Sequence, residues 1–348
     1  MEKETSSMID EKSAPVPAVP RSARSKAPVF VLGSPRSGTT LLYHMLLSSG
    51  GFAVYRSETH VFNILEAAYG DLRSPRNKKN LMKAWLGSKL FQVSGLNAAE
   101  IEARVMAECH NGGDFLQIVM GEVARKQNVG RWADCTPDHL LYLQRIKQTI
   151  PDALIVHIVR DGRDVALSMD KQRWIRPLPC DRDKHLMVAA LHWEWIVNRG
   201  RESGRKLSAD YCEVRFEELV QNPQAVLNGL SSFLDHDLNY NRILEVGIGT
   251  VREPNSSFQK ESLGGDFKPV GRWQDTLSEP DAVKMEALIG GTLTESGYPL
   301  TAAQPTRPEL ARLRRLRSRY RSYFDFKFWV KTRTPVGKWF VTTDLSWL

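Results

Sequence analysis

The sequence predicts an α/β fold in which helices flank a central, mostly parallel sheet in three layers. Two segments carry this prediction. Val29–Leu32 and Ala153–Val159 are continuous apolar runs rich in β-branched residues, the pattern of strands buried on both faces. A polar loop and then apolar residues at helical spacing follow each run. This alternation of strand and helix is typical of parallel sheets.

The loop after the first strand has the composition of an anion-binding site. Residues 33–38, Gly33-Ser-Pro-Arg-Ser-Gly38 (the glycine loop), have P-loop spacing, and a helical pattern begins at Thr39 and Thr40. Free N–H groups and the dipole at a helix N-terminus favour a bound phosphate or sulfate. Thr39 stands where a Walker-type NTPase needs lysine, and the cation of this loop is Arg36. We therefore expect an anion held without an obligatory metal.

A carboxylate is expected close to the glycine loop. We predict a second short strand over Phe52–Tyr55, and Glu58 follows it, just before a helical pattern that begins at Val61. Ligands of open parallel sheets gather at the carboxyl ends of the strands. From the residues alone, Glu58 is equally a general base or an acidic residue that complements a helix dipole.

The second strong strand ends in another set of anion-binding side chains. Arg160 directly follows Ala153–Val159, and Ser168 comes eight residues later, in the second turn of the next predicted helix. Arginine binds phosphate through two parallel hydrogen bonds, which lysine cannot reproduce. Arg160 and Ser168 can therefore converge on one anion. The competing interpretation is an N-capped surface helix in which Asp161 pairs with Arg163.

The remaining segments complete the sheet and its helical layers. Residues 70–130 show apolar residues at helical spacing with glycine breaks, so we predict a mostly helical insert. Segment 173–184 contains two prolines and is predicted to be a loop and a candidate lid. We predict a helix over Leu186–Val197, a strand and helix over Glu213–Pro223, and a last core helix over Ser278–Ile289.

The two motifs together resemble those of one enzyme family. The glycine loop with Thr39 and Thr40 resembles the 5′-phosphosulfate loop of sulfotransferases that use 3′-phosphoadenosine 5′-phosphosulfate (PAPS), in the form typical of the tyrosylprotein, bacterial and carbohydrate branch. Arg160 and Ser168 match the 3′-phosphate site of that family. The resemblance covers residues 29–299 and implies a P-loop-containing fold.

The resemblance implies functions for individual residues. Glu58, followed by Thr59, matches the general base of tyrosylprotein-type members, and Arg36 would stabilise the transferring sulfuryl group and the leaving phosphate. Ser256–Trp273 resembles a late loop of the family that closes over the nucleotide. The residues expected to bind the nucleotide are Ser34, Pro35, Arg36, Ser37, Gly38, Thr39, Thr40, Arg160, Ser168, Lys268 and Arg272. No metal is expected, and the product nucleotide would be 3′-phosphoadenosine 5′-phosphate (PAP).

Some positions depart from the pattern of the family. Cys135 replaces the lysine of its Lys-Thr-Pro segment, which helps to stabilise the transferring group. Either another cation takes this role, with Arg131 and Lys268 as options, or activity is weakened. Phe216 replaces the usual tyrosine of a V-R-Y-E-x-L segment, so any contact through that hydroxyl is absent. His139 is an alternative base or a polar packing residue.

We therefore expect in-line transfer of a sulfuryl group from PAPS to a hydroxyl or amine, with Glu58 accepting the proton. The acceptor stays open between a sugar, a lipid, a tyrosine and a small molecule. One alternative is a non-catalytic member of the fold that binds PAPS or PAP, which Cys135 keeps open. The other is a P-loop kinase or NTPase, which Thr39 disfavours because it replaces the Walker lysine.

The positive charge of the chain is concentrated at one end. Residues 301–348 contain 11 Lys or Arg and three Asp or Glu, which accounts for the whole net charge of +8. We predict a disordered leader over residues 1–28, a sulfotransferase domain over 29–300 and a basic aromatic C-terminal extension over 301–348. The leader ends in a short basic cluster that we expect to be a solvated linker, formed by Arg21, Arg24 and Lys26.

The C-terminal extension has the composition of a contact surface. Residues 307–348 combine arginines with nine aromatic residues, which suits a membrane-surface contact, a homodimer contact or packing onto the domain. No nucleic-acid partner is expected, because no readout motif accompanies the charge. Scattered cysteines and the lack of a signal-like apolar segment at the N-terminus favour a cytoplasmic location, peripheral at the membrane if the extension binds lipid.

Overall fold

Four parallel strands form the centre of the computed structural model, which describes residues 18–252, 268–301, 303–341 and 345. The strands are β1 (Val29–Gly33), β2 (Ala133–Asp134), β3 (Leu154–Val159) and β4 (Tyr211–Arg215), in the order β2-β1-β3-β4. The predicted parallel sheet is therefore confirmed. The expectations for residues 1–17, 253–267 and Trp347 lie outside the described residues.

Helices surround this sheet, and those between β1 and β2 confirm the predicted helical insert. A π-helix, Val61–Leu65, directly precedes the short helix Glu66–Tyr69. The helices are α1 (Arg21–Arg24), α2 (Thr39–Ser48), α3 (Glu66–Tyr69), α4 (Pro75–Leu86), α5 (Lys89–Ser94), α6 (Ala98–Glu108), α7 (Gly112–Lys126), α8 (Leu143–Thr149), α9 (Gly162–Lys171), α10 (His185–Gly204), α11 (Phe216–Gln221), α12 (Pro223–Leu234), α13 (Tyr240–Val246), α14 (Arg272–Thr276), α15 (Glu279–Glu295) and α16 (Arg307–Arg333).

Alternate residues of the strands enter two different cores. Phe30 and Leu32 pack with the helical insert on one face, whereas Val29 and Val31 pack with α2 and with the helices that follow β4 on the other. Successive side chains of a strand point to opposite faces, so a strand that is apolar throughout is covered on both. Each fully buried aliphatic side chain of this kind stabilises the fold by roughly 1.5–3 kcal/mol.

The register of the central strands brings their carboxyl ends together. Gly33 lies opposite Ile158, so the glycine loop and Arg160 leave the sheet at the same edge. A Cβ atom at Gly33 would lie only 2.5 Å from the carbonyl oxygen of Ile158, so the close approach of the two strands requires glycine.

The strand predicted over Phe52–Tyr55 is wrong, because only Phe52 forms a bridge, with Arg131. The side chain of Gln127 takes the place of a neighbouring strand. Its Oε1 accepts a hydrogen bond from the N–H of Val54 at 2.7 Å, and its Nε2 donates to the carbonyl oxygen of Val54 at 3.0 Å. These two hydrogen bonds satisfy the backbone N–H and carbonyl groups of Val54, so strand pairing does not continue beyond Phe52.

The prediction of a solvated linker is wrong for Arg24. Its side chain is buried, donates to Asp210 at 3.0 Å, and also reaches the carbonyl oxygens of Phe233 and Ala209 at 2.8 Å. Asp210 also accepts from the backbone N–H of Val19 at 3.0 Å. A buried acidic partner that is distant in sequence fixes this segment, so local composition could not predict its order.

The long helix α16 packs one face against the rest of the protein. Leu313, Leu316, Tyr320 and Phe324 are buried in a core with residues of α10 and α15. Three ion pairs stabilise the packing of the helix further, namely Arg317 to Glu194, Asp325 to Arg199 and Arg319 to Asp181. None of the described helices combines the length and the apolar character needed to cross a bilayer.

Candidate functional site

A cavity of about 640 Å³ opens at the carboxyl edge of the sheet, where the loops after β1 and β3 meet. The glycine loop, the start of α2 and Arg160 form its polar end, and residues of α11 and α13 form an apolar wall. Of the residues expected in the site from the sequence, the lining includes Pro35, Arg36, Gly38, Thr39, Thr40, Glu58, Arg160 and Arg272. One cavity therefore contains residues of both sequence motifs, whereas Ser34, Ser37 and Ser168 are not among its lining residues.

The backbone of the glycine loop has the conformation of an anion-binding concavity. Arg36 and Gly38 have positive φ angles, 73° and 93°, and α2 begins directly afterwards at Thr39. Residues of this handedness within a turn form concave sites lined by N–H groups, and the first N–H groups of a helix have no partner inside it. A Cβ atom at Gly38 would lie 2.3 Å from the ring of Phe216, so this position requires glycine.

Several buried polar atoms of the loop and of Arg160 are consistent with an anionic ligand. Within the described residues, the hydroxyls of Ser34 and Ser37 and the Nε of Arg160 are buried and have no hydrogen-bond partner. Buried polar groups are rarely left unpaired, and anionic oxygens would supply the acceptors for all three. These residues therefore fit phosphate or sulfate groups.

Arg160 is held in place by backbone acceptors on both sides. Its guanidinium donates to the carbonyl oxygens of Arg36 at 3.2 Å and Pro269 at 2.7 Å, and it stacks on the ring of Phe216 at 4.5 Å. Burial lowers the pKa of Arg160, and the nearby carboxylate of Asp164 opposes that shift. Phe216, which replaces a tyrosine of the resembled pattern, thus packs between Gly38 and this cation.

Ser168 lies beside Arg36. The Oγ of Ser168 accepts a hydrogen bond from the Nε of Arg36 at 3.0 Å, and the ring of Trp174 covers the same guanidinium at 5.2 Å. Trp174 belongs to the predicted lid segment and is 52% exposed. The structure therefore brings Arg36, Arg160 and Ser168 together and adds an aromatic residue that no sequence motif indicated.

The two late candidates for nucleotide binding occupy different places. Arg272 lines the cavity, and the backbone N–H groups of its two neighbours donate to Asp164 at 2.9 and 2.8 Å. Lys268 is exposed, pairs with Asp275 at 2.9 Å and is not among the lining residues. Asp164, which stands one helical turn after Arg160, had no recognisable role in the sequence. Its carboxylate fixes the segment that carries Arg272.

Glu58 faces the cavity beside a second carboxylate. Its Oε2 lies 3.4 Å from the Nε2 of His60, and 42% of its side chain is exposed. Partial burial, together with the negative charges of Asp138 and Asp134, raises the pKa of Glu58 to about 8. Burial lowers the pKa of His60 to about 4. At neutral pH the proton of this pair therefore resides mainly on Glu58.

A buried hydrogen-bond network anchors the loop that carries Glu58. The hydroxyl of Thr59 donates to the Oδ1 of Asp134 at 2.6 Å, and the backbone N–H of Thr59 donates to Thr136 Oγ1 at 2.8 Å. Burial favours the neutral acid, yet His139 and the hydroxyl of Thr59 hold the pKa of Asp134 below its usual value. The Glu-Thr pair therefore combines a carboxylate in the cavity with an anchor in the core.

His139 belongs to this anchor. Its Nε2 accepts from the backbone N–H of Phe62 at 3.1 Å, so its Nδ1 carries the proton donated to Asp134 at 2.9 Å. Its side chain is fully buried. Both ring nitrogens are occupied, so of its two expected roles the structure supports polar packing.

The lysine position of the resembled pattern holds a neutral side chain. Burial and the carboxylates of Asp134 and Glu58 raise the pKa of the Cys135 thiol well above its ordinary value. Neither option for a replacement cation is among the residues that line the cavity. Arg131 is buried at the amino end of β2 and donates to the carbonyl oxygens of Ala27 and Leu234, and Lys268 pairs with Asp275. The arginines that line the cavity are Arg36, Arg160 and Arg272.

The apolar wall and the second carboxylate could not be found from motifs. Tyr240 and Leu244 of α13 meet Leu219 of α11 in the cavity, and Asp138 lines it beside Glu58. The signal for α13 was only its apolar residues at helical spacing. Asp138 follows Thr136-Pro137 closely in the sequence, which was its one indication. Among the described residues, no cluster of His, Cys, Asp and Glu could hold a metal ion.

Known proteins share both the family pattern and the fold. A family model described as "Sulfotransferase family" matches residues 28–240. The chain is similar to the sulfotransferase domain of the olefin synthase from Synechococcus PCC 7002, with a TM-score of 0.54 and 18% identity over 79% of this chain and 96% of that one. It is also similar to the sulfotransferase domain from the curacin biosynthetic pathway, with a TM-score of 0.53 and 15% identity over 83% and 100% of the two chains. The chain has no match among curated proteins.

Proposed function

The chain belongs to the sulfotransferase family, and we propose that it transfers a sulfuryl group from PAPS to a hydroxyl or amine acceptor. The observation that carries this proposal is the meeting of the two anion-binding motifs. Arg160 donates to the backbone of Arg36, and Arg36 donates to Ser168. A donor nucleotide with phosphates at both its 3′ and 5′ positions needs two such sites within one cavity.

The residues of the cavity suit the parts of this nucleotide. The glycine loop with Thr39 and Thr40 would bind the 5′-phosphosulfate through N–H groups and hydroxyls. Arg160 and Ser168 would bind the 3′-phosphate, with Arg272 adding positive charge. The adenine ring would pack against the apolar wall formed by α11 and α13. Lys268 has no part in this arrangement, because its ammonium pairs with an exposed carboxylate.

When bound, PAPS supplies the sulfuryl group, and PAP is the product that leaves. Glu58 would accept the proton of the acceptor, since it is the carboxylate at the cavity whose pKa is raised to about 8. A base with a pKa close to the working pH is suited to general base catalysis. Arg36 would neutralise negative charge that develops near the glycine loop. Thr59 would hold Glu58 in place through Asp134.

The acceptor side of the cavity carries negative charge. Asp138 and Glu58 line it together, and when Glu58 is in the deprotonated form needed for transfer, the two charges would repel a carboxylate or phosphate on the acceptor. We therefore propose an acceptor that presents a neutral hydroxyl or an amine, attached to a sugar, a lipid, a tyrosine or a small molecule. A tyrosine next to other acidic residues fits this charge less well.

A non-catalytic nucleotide-binding protein is the second candidate, and Cys135 is the observation that favours it. The thiol is neutral and buried beside Glu58, where the resembled pattern has a lysine. Such a protein would bind PAP with the same residues and would transfer no sulfuryl group. A kinase or NTPase is disfavoured because Thr39 replaces the lysine of a Walker loop.

Two measurements separate these functions. Isothermal titration with PAP, adenosine 5′-phosphosulfate and ATP should show PAP binding at least tenfold more tightly than either of the others. Transfer from ³⁵S-labelled PAPS to a panel of neutral sugars, phenols, tyrosine peptides and amino alcohols should label an acceptor with the wild type and not with Glu58→Gln. Tight PAP binding without any labelling would favour the binding protein. Tighter binding of ATP than of PAP would contradict both the sulfotransferase and the non-catalytic PAP-binding protein.

A further inference from the structure

The helix α16 presents two chemically different faces. Its inner face is buried in the core, whereas the opposite face is exposed over the whole length of the helix. On the outer face, Arg315, Ser322, Phe326, Trp329 and Arg333 follow one another at helical spacing and are all exposed. The packing of α16 against α10 and α15 fixes which side faces outward.

The outer face ends in exposed aromatic side chains. Phe326 and Trp329 are 63% and 53% exposed, and their rings stack on each other with centroids 6.2 Å apart. Trp339, in the turn after the helix, is 77% exposed. Large aromatic side chains gain free energy when they leave water, so three exposed ones at the end of α16 and in the turn that follows mark a contact surface.

Cations surround these aromatic residues. Arg333 lies one turn beyond Trp329, and Lys338 precedes Trp339 directly; both are exposed. Arg333 also lines a second cavity of about 710 Å³, in which the acids Glu66, Asp71 and Glu202 are outnumbered by the cations Arg73, Arg145, Arg199, Lys206, Lys331 and Arg333. Asp325, an acid of the helix, is already paired with Arg199 and with the indole N–H of Trp195. The surface therefore combines net positive charge with aromatic side chains.

We propose that this surface, formed by the outer face of α16 and by Trp339, docks on an anionic lipid bilayer. The helix would lie parallel to the membrane, with Phe326, Trp329 and Trp339 in the headgroup region and Arg315, Arg333 and Lys338 at lipid phosphates. Aromatic residues prefer this interfacial zone, and basic residues near it are attracted by anionic lipids. The inner face stays packed on the protein, so docking needs no unfolding.

A second copy of the chain fits this surface less well than a bilayer. A twofold dimer interface places the same patch of each subunit against the other. Here that contact would place the arginines on the outer faces of the two subunits next to each other, and neighbouring like charges repel. An anionic bilayer instead neutralises these charges. The proposal is independent of sulfuryl transfer, because none of its residues lines the nucleotide cavity.

Co-sedimentation of the full-length protein with vesicles tests the proposal. We expect binding to vesicles of phosphatidylcholine with phosphatidylserine, little binding to phosphatidylcholine alone, and weakening by added salt. The triple variants Phe326→Ser/Trp329→Ser/Trp339→Ser and Arg315→Gln/Arg333→Gln/Lys338→Gln should each lower the partition coefficient roughly tenfold or more. The matched control is Arg76→Gln/Lys79→Gln/Lys83→Gln, which removes three cations from the exposed face of α4 and should bind as the wild type does.

The same experiment distinguishes the alternatives. All variants replace exposed residues, so unchanged thermal unfolding and unchanged PAP binding confirm that each one is folded. Lack of binding by the wild type, or equal loss in the α4 control, would overturn the proposal. A wild-type dimer in light scattering that the aromatic variant dissociates, with no vesicle binding by either, would identify the surface as a homodimer contact and would equally overturn it.

Discussion

The Nε of Arg36 donates a hydrogen bond across 3.0 Å to the Oγ of Ser168, a residue 132 positions later in the chain. This bond joins the loop after β1 to the helix after β3, the two places where anion-binding residues follow a strand. A ligand that engages both residues has to exchange this bond for bonds to its own anionic oxygens. The indole of Trp174 covers the same guanidinium, so the segment predicted to be a lid would respond to that exchange.

Replacing Arg160 with Ala should weaken PAP binding by about 10- to 150-fold, because a hydrogen bond to a charged group contributes about 1.5–3 kcal/mol. Binding of adenosine 5′-phosphosulfate, which lacks the 3′-phosphate, should change by less than about threefold. Isothermal titration measures both affinities. Lys268→Ala is the matched control, since its ammonium pairs with Asp275 outside the cavity. Equal losses of affinity for both nucleotides would show that Arg160 does not bind the 3′-phosphate.

Replacing Glu58 with Gln should reduce kcat for sulfuryl transfer by about 10²- to 10⁴-fold, because the amide cannot accept the proton of the acceptor. PAP affinity should stay within about threefold of the wild-type value, since the glycine loop and Arg160 are unchanged. Single-turnover transfer and titration with PAP give the two quantities separately. Turnover near the wild-type rate would show that another group accepts the proton.

The pH dependence of the wild type should report the same carboxyl. Because the pKa of Glu58 is raised to about 8, the active carboxylate is the minor form at pH 6 and the major form at pH 9. The kcat/KM for the acceptor should therefore rise with pH and level off above about 8. Asp138→Asn removes one of the negative charges that raise this pKa, so it should move the midpoint to lower pH. A midpoint that is unchanged in Asp138→Asn would contradict the assignment of Glu58 as the general base.

Replacing Gly38 with Ala should abolish PAP binding. The φ angle of 93° is strained for alanine, and the new Cβ would lie 2.3 Å from the ring of Phe216, which in turn supports Arg160. Gly121→Ala in α7 is the control, because a Cβ there would meet no atom outside its own helix within 4 Å and its φ is ordinary. That variant should gain up to about 1 kcal/mol of helix stability. Thermal unfolding and PAP titration compare the pair.

Replacing Thr59 with Val should lower the free energy of unfolding by about 1–3 kcal/mol, because it leaves the buried carboxylate of Asp134 without one of its donors. It should also reduce kcat, since the loop that holds Glu58 loses its anchor. Thr59→Ser keeps the hydroxyl and should restore most of both. Urea unfolding gives the stability, and a transfer assay gives kcat. Unchanged values for Thr59→Val would show that Thr136 anchors the loop alone.

Local patterns predicted the elements best where the chain is apolar and regular. Val29–Gly33, Leu154–Val159 and the helices after them follow from runs and periodicities of a few residues. Phe52–Tyr55 has the same appearance, yet Gln127 binds its backbone and prevents a strand. Arg24 has the local surroundings of a linker residue, yet Asp210 pairs with it in the interior. Both errors have one cause, which is a side chain from a distant part of the chain.

The order of strand, glycine loop and helix, and the choice of arginine at positions 36 and 160, can be read from neighbouring residues, because backbone propensity and anion chemistry act locally. Which cations face the cavity depends on packing between distant segments. Arg272 reaches it through the anchor at Asp164, whereas Lys268 and Arg131 find other partners. The charge around Glu58 is likewise set by Asp138 and Asp134, which only folding brings close. Long-range burial and electrostatics, which no short motif encodes, thus determine the charge distribution of the site.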